Sequence, residues 1–238
     1  FGRKDEQGLP LMDEMARQLG ASHFGQGLAA LATLIAPQFL GVNALLTMDS
    51  FDILAWVALA YILVLLLKNE QPKYWLWFGL VAGIGLTIKI SIAYFGFALL
   101  VGLLLTPQRK LLRSKWLWLG GLIALAFALP YIAWNALNGF PTVEFWRNYC
   151  AKVFQASPLV FLLQQILIMH PINLPLWLGG LVYLFSKKGA TYRPLGWAYL
   201  VLLVIFMLQN AKNYFLAPAY PMLFAAGALA VEQSTLAG

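Results

Sequence analysis

Runs of apolar residues about twenty long, cut by short polar punctuation, recur along almost the whole chain. A run of that length crosses a bilayer as a helix. The first lies between about Gly25 and Leu46, and the second follows Asp52 and ends at Lys68. Two shorter halves come next, "YWLWFGLVAGIGLTI" and "SIAYFGFALLVGLLL", separated by Lys89, and then "WLWLGGLIALAFALPYIAW". A long amphipathic stretch occupies 138–173. "LPLWLGGLVYLF", "PLGWAYLVLLVIFML" and "YFLAPAYPMLFAAGALAV" supply two or three further spans. Strict alternation of polar and apolar positions is absent, which argues against a transmembrane barrel. The pattern predicts an all-α, polytopic transmembrane helical bundle. The whole chain, 1–238, reads as a single transmembrane domain, with 138–173 as an external amphipathic segment.

Composition agrees with the pattern. The chain is 61% hydrophobic and 11% charged, against about 45–50% and 25% in soluble domains. Its mean hydropathy is +0.75. In such a chain the net charge of +7 reads as basic cytoplasmic loops and not as a nucleic-acid surface. Cys150 is the single cysteine, so no internal disulfide can form. The opening residues, "FGRKDEQGLPLMDEMARQ", are polar and do not resemble a cleavable signal peptide. The chain begins with Phe1, and it is read as lacking an N-terminal portion.

The basic residues predict an orientation. Lys68, Lys73, Arg109, Lys110, Arg113, Lys115, Lys187, Lys188 and Arg193 sit in three loops, and Arg3, Lys4 and Arg17 near the start; these are twelve of the sixteen Lys and Arg. They are placed in the cytoplasm. Lys89, Arg147, Lys152 and Lys212 remain, and the last three are placed outside. Both flanks of 74–105 then lie on the inner side, so that region must enter and return as two short helices turning near Lys89. Asp49, Asp52, the 138–173 segment, Arg147, His170 and Lys212 fall on the outer side.

Few residues can carry chemistry. Asp49 and Asp52 are three apart and share a helix face. They read either as a solvated turn and helix cap or as carboxylates facing an outward cavity, where they could orient a sugar hydroxyl or steer a base. Lys89 stands between apolar halves and needs a partner, water or a ligand. A salt bridge inside the bundle and an anion site are its two readings. "GFPTVEFWRNYCAKVF" places Val143, Trp146, Tyr149, Cys150, Val153 and Phe154 on one face, as an interfacial helix or a lid, with Glu144 and Arg147 spaced to pair. Lys212 and Tyr214 precede a span loosened by Pro218 and Pro221; Lys212 is either an interfacial anchor or a phosphate-binding cation. His170 and His23 have no second ligand nearby in sequence, so a metal site has little support. No nucleotide-binding, nucleophile-elbow or zinc-protease motif is present.

Taken in order, "TMDSFDILAW", "WLWFGLVAGIGLTIKIS", "LPYIAWNALNGFPTVEFWRNY", "LPLWLGGLVYLF" and "KNYFLAPAYPMLFAAGA" resemble the bacterial glycosyltransferases of family 39. These are relatives of the dolichyl-phosphate-mannose protein mannosyltransferases and of the aminoarabinose transferase that modifies lipid A. The resemblance covers about residues 15 to 232. It implies a GT-C fold with interfacial helices on the outer face, in the bacterial inner membrane with its active side periplasmic. It also implies sugar transfer from a polyprenyl-phosphate-sugar to a glycan, lipid or protein acceptor, generally with inversion. A carboxylate would serve as general base and basic residues would hold the leaving phosphate. Asp49 corresponds to the family's second acidic position, with Asp52 close behind, and Lys89 and Lys212 to its basic positions; Arg147, His170 and Tyr214 complete the expected substrate-binding set. The family's principal aspartate lies in a first external loop with no counterpart here. The chain is therefore expected to lack the first two spans, and the main base with them. The sequence shows no required cofactor, and a divalent metal stays open. A secondary transporter using Asp49, Asp52 and Lys89, or a non-catalytic membrane subunit, are the competing readings.

Overall fold

The structure, a computed structural model, describes residues 10–152 and 157–235. Arg3, Lys4, Val153 and Phe154 lie outside the described residues, as do the side chains of Trp146, Tyr149, Cys150 and Lys152. The described residues form helices and no strand. They are α1 (Pro10–Leu19), α2 (His23–Ile35), α3 (Pro37–Leu45), α4 (Met48–Asn69), α5 (Tyr74–Ile88), α6 (Ser91–Leu104), α7 (Lys115–Leu137), α8 (Pro141–Lys152), α9 (Pro158–Ile168), α10 (Leu174–Phe185), α11 (Arg193–Leu208) and α12 (Tyr220–Thr235). Short 3-10 turns occupy Pro107–Arg113, Pro171–Asn173, Ala190–Tyr192 and Asn213–Ala219.

Among the described residues, four helical stretches are long and apolar enough to cross a membrane: Met48–Asn69, Lys115–Leu137, Ala190–Leu208 and Asn213–Thr235. Three bent pairs raise the number to seven if each is one span. The chain is thus an all-α bundle of a multi-pass membrane protein. The bends have local causes. Between α2 and α3 the chain turns by 67° at Ala36–Pro37, where proline can begin a helix but cannot continue one. Between α9 and α10 it turns by 97° around His170 and Pro171, and His170 takes a left-handed φ of 71°. The 138–173 stretch is therefore divided. α8 lies within it, whereas α9 is apolar apart from Gln164 and Gln165 and forms a bent pair with α10.

All the described basic loops collect at one end of the bundle. Lys68 Nζ donates to the Gln18 carbonyl at 2.9 Å and to its side chain at 3.0 Å. Lys110 faces Glu70 at 3.6 Å, and Lys188 reaches Gln233 at 3.1 Å. α1 lies at this same end, burying Met12, Met15, Ala16 and Leu19 against α2, α4 and α12. The apolar pattern left this short amphipathic helix unassigned. The structure has α8 at the end away from the basic loops and α1 among them.

α4 and α12 form the centre. Of the span beginning at Asn213, 78% is buried, against 6% of α7, which rests on α5 at the rim. Glycines set the closest approaches. A Cβ on Gly180 of α10 would strike the Leu223 carbonyl, and one on Gly227 of α12 would strike the Leu176 carbonyl. Small residues at such seams let two backbones pack with little side chain between them. At the basic end, Glu232 of α12 accepts from the Ser22 amide at 3.0 Å and the Gly25 amide at 3.2 Å. It thereby caps the start of α2. α5 runs antiparallel to α4, the turn at Lys89 comes level with the start of α4, and α6 returns.

Candidate active site

That turn joins two charges of one sign to one of the other. α4 begins after Leu46, in a left-handed conformation with φ 45°, and Thr47. Its first turn therefore presents Asp49 and Asp52 at the bundle end away from the basic loops. Lys89 caps α5 in an extended conformation. Its Nζ stands 2.5 Å from Asp49 Oδ1 and 3.5 Å from Asp52 Oδ2. Ser91 Oγ donates to Asp52 Oδ1, and Trp56 Nε1 donates to Ser91 Oγ at 3.3 Å. Trp56 stacks on Phe95 with centroids 4.5 Å apart, fixing the indole. Asp52 is 1% exposed and Asp49 24%, so only Asp49 can meet a ligand directly.

A cavity of about 250 Å³ opens over this pair. Asp49, Lys89 and Ser91 line one side, and Lys212, Tyr214 and Phe215 the other, with Tyr94, Phe206 and Phe145 completing an aromatic wall. Lys89 Nζ lies 5.2 Å from the Phe215 ring centroid and 5.7 Å from that of Tyr214. Lys212 Nζ lies 5.8 Å from the Tyr214 centroid. Ring faces attract ammonium groups at this range, so Tyr214 stands against both cations. Lys89, Ile90 and Phe145 also line a second, larger space of about 1100 Å³. This apolar trough runs between the α5–α6 turn and α7, past Leu125, Phe127 and Ile132.

Two carboxylates and two ammonium groups thus gather around the smaller cavity of a multi-pass bundle, and Lys89 also lines the apolar trough beside it. A family model described as dolichyl-phosphate-mannose-protein mannosyltransferase matches residues 15–134. The chain belongs to that family. It is accordingly a membrane glycosyltransferase, whose reaction requires a sugar donor and an acceptor. No curated protein and no solved structure matched the chain. The mannosyltransferase match takes in Asp49, Asp52, Lys89 and most of the trough; Lys212, Tyr214 and α8 lie beyond it.

Of the seven residues singled out from the sequence, Asp49, Lys89, Lys212 and Tyr214 line this cavity, and Asp52 lies buried behind it, 3.5 Å from Lys89 Nζ. Arg147 and His170 do not. Arg147 lines a separate open cavity of about 590 Å³ on α8 with Glu144 and Asn148. His170 is exposed, and its Nδ1 accepts from the Ile172 amide at 3.2 Å, closing the turn before α10. Among the described residues no group of three His, Cys, Asp or Glu is placed to hold a metal. Ser91, Trp56 and the aromatic wall were not anticipated.

Proposed function

We propose that the protein transfers a sugar from a polyprenyl-phosphate donor to a hydroxyl or phosphate of a glycan, lipid or protein acceptor. The active end is the one away from the basic loops, facing the outside of a bacterial inner membrane. The observation that carries this reading is the shared boundary of the two cavities. A donor of this class is an anionic head on a long apolar tail. The trough suits the tail, and Lys89 and Lys212 stand where the head would emerge.

In this reading the leaving phosphate takes the electron pair of the broken C1–O bond, and the two ammonium groups stabilise that charge. The acceptor oxygen forms the new bond to C1 and gives up its proton to a carboxylate base; Asp49, the exposed carboxylate of the pair, is the secondary acidic residue that orients the acceptor. A phosphate arriving at Lys89 competes with Asp49 for the ammonium and leaves that carboxylate turned toward the acceptor. Asp52, buried behind it, holds Lys89 and Ser91 in place.

The test is transfer rate against polyprenyl-phosphate-sugar concentration in nanodiscs. Lys212→Ala should weaken donor use by roughly ten- to a hundredfold, the loss of one charge-assisted contact. Asp49→Asn should cost about tenfold or more in rate, and exceed Asp52→Asn. Unchanged donor dependence in Lys212→Ala would reduce that residue to an anchor. Orientation is checked separately: a cysteine at Lys110 in a Cys150→Ala background should resist an impermeant thiol reagent in intact cells, and rapid labelling would reverse the sides.

A further inference from the structure

Behind the aromatic wall, away from the pocket, lies a second polar feature that transfer chemistry does not use. Gln165 on α9 is 1% exposed. Its Nε2 donates to the Asn213 carbonyl at 3.0 Å. Its Oε1 accepts from the Tyr220 hydroxyl at 3.3 Å, which in turn accepts from the Tyr199 hydroxyl at 3.1 Å. Tyr199 and Tyr220 are 2% and 0% exposed. The Trp177 ring stands edge-on to Tyr220, with centroids 5.5 Å apart. Three helices, α9, α11 and α12, thus commit buried polar side chains to one backbone carbonyl.

That carbonyl belongs to the residue between Lys212 and Tyr214. The turn Asn213–Ala219 has weak internal support, since Pro218 contributes no N–H and 3-10 geometry makes poorer hydrogen bonds than an α-helix. Something outside the turn must fix it. A buried polar chain is costly where it does not satisfy itself, and here every link is made.

We propose that Gln165 is a positioning residue, clamping the start of this turn so that Lys212 and Tyr214 face Lys89 across the cavity, with Tyr220 and then Tyr199 orienting its amide. The inference rests on the donor-site reading of Lys212. It predicts a graded series set by distance along the chain of bonds. Gln165→Met, of similar length but with no amide, removes the contact to Asn213. Tyr220→Phe leaves that contact and frees only Oε1. Tyr199→Phe removes the outermost link.

Two measurements on the full chain in nanodiscs test it. Backbone hydrogen exchange over 213–219 should accelerate in Gln165→Met by roughly fivefold, the worth of about one hydrogen bond, less in Tyr220→Phe and least in Tyr199→Phe. Exchange in 223–231 should stay at the wild-type rate. The donor KM should rise in the same order, to about fivefold in Gln165→Met, with kcat changed less. Loss of core packing alone would instead speed exchange in both segments and leave KM unmoved; that result, or unaltered exchange over 213–219, overturns the clamp. Lys212→Ala runs alongside. If it weakens donor use while Gln165→Met does not, the positioning role fails and the donor site stands. If neither variant affects donor use, the donor site itself fails and takes the positioning role with it, whatever the exchange data give. Should Gln165→Met not assemble, Tyr220→Phe, which keeps the ring, carries both measurements.

Discussion

Replacing Lys89 by methionine removes a charge that answers both carboxylates. In the folded protein its ammonium is 2.5 Å from Asp49 and 3.5 Å from Asp52, and 17% of the side chain is exposed. Without it, two carboxylates three residues apart face each other, and Asp52 keeps only the Ser91 hydroxyl. Removing one member of a buried ion pair costs about 3–5 kcal/mol. Asp49 and Lys89 are partly open to solvent, which places this case near the lower figure, about 3 kcal/mol. In a chain of this size about 1 kcal/mol moves the melting midpoint by ~2–4 °C, so Lys89→Met should melt ~6–12 °C below wild type. Asp52→Asn keeps the Ser91 contact and removes a charge; alone it should cost under about 1 kcal/mol, since Asp49 still holds the lysine. Added to Lys89→Met, it should restore about 1–3 kcal/mol, a coupling typical of residues in contact. The assay is thermal unfolding of the four proteins in one detergent. A Lys89→Met midpoint within about 1 °C of wild type would refute the reasoning. So would a double variant no more stable than Lys89→Met, because the penalty is ascribed to the stranded Asp52 charge.

Two further outcomes follow from other parts of the bundle. Gly180→Ala should destabilise by about 1–3 kcal/mol through overpacking against the Leu223 carbonyl. The adjacent Gly179→Ala meets nothing within 4 Å and should be neutral or slightly stabilising; equal midpoints for the two variants would remove the seam argument. In α1, the Arg17 guanidinium, 2.7 Å from Glu14 Oε2, and the Gln18 amide hold the Glu14 carboxyl below the usual carboxylate range. A group with a lowered folded pKa adds stability above its unfolded value, near 4.3, and loses it as the pH falls through the folded value. The stability gap between wild type and Glu14→Gln, under about 1 kcal/mol for so exposed a pair, should therefore be full at pH 7 and close below pH 4. A gap independent of pH would contradict it.

What the sequence could announce depended on how local the cause is. Apolar run length acts over a few residues, so most of the helices and the turn at Lys89 were legible; the bends at Pro37 and Pro171 were not read, although a proline marks each. The concentration of Lys and Arg in three loops marked one end of the bundle. Lys89 was recognisable as a cation in need of a partner, because an apolar neighbourhood makes that need visible. Which partner it takes was less so: Asp49 lies 40 residues away, and only the antiparallel pairing of α4 with α5 brings them level. Arg147 and His170 carried the right chemistry on the expected side, yet α8 and the turn before α10 place them outside the pocket. Gln165 and Tyr220 are 55 residues apart and look like ordinary polar interruptions of apolar helices; their linkage exists only once α9, α11 and α12 have packed. α1 escaped notice because its apolar face is narrow and ten residues are too few to read as a span.

The cap on α2 sets a schedule for assembly. The Ser22 and Gly25 amides find their partner in Glu232, 210 and 207 residues further along the chain. At a synthesis rate of about 5–20 residues per second, that partner emerges ~10–40 s later. Throughout that interval the start of α2 must rely on water or lipid head groups for those amides, and the groove that α12 will fill stays open. α12, made after the helices it packs against, also closes the centre, so a chain stopped short of it would hold α1, α2 and α4 with their deepest contacts unmade.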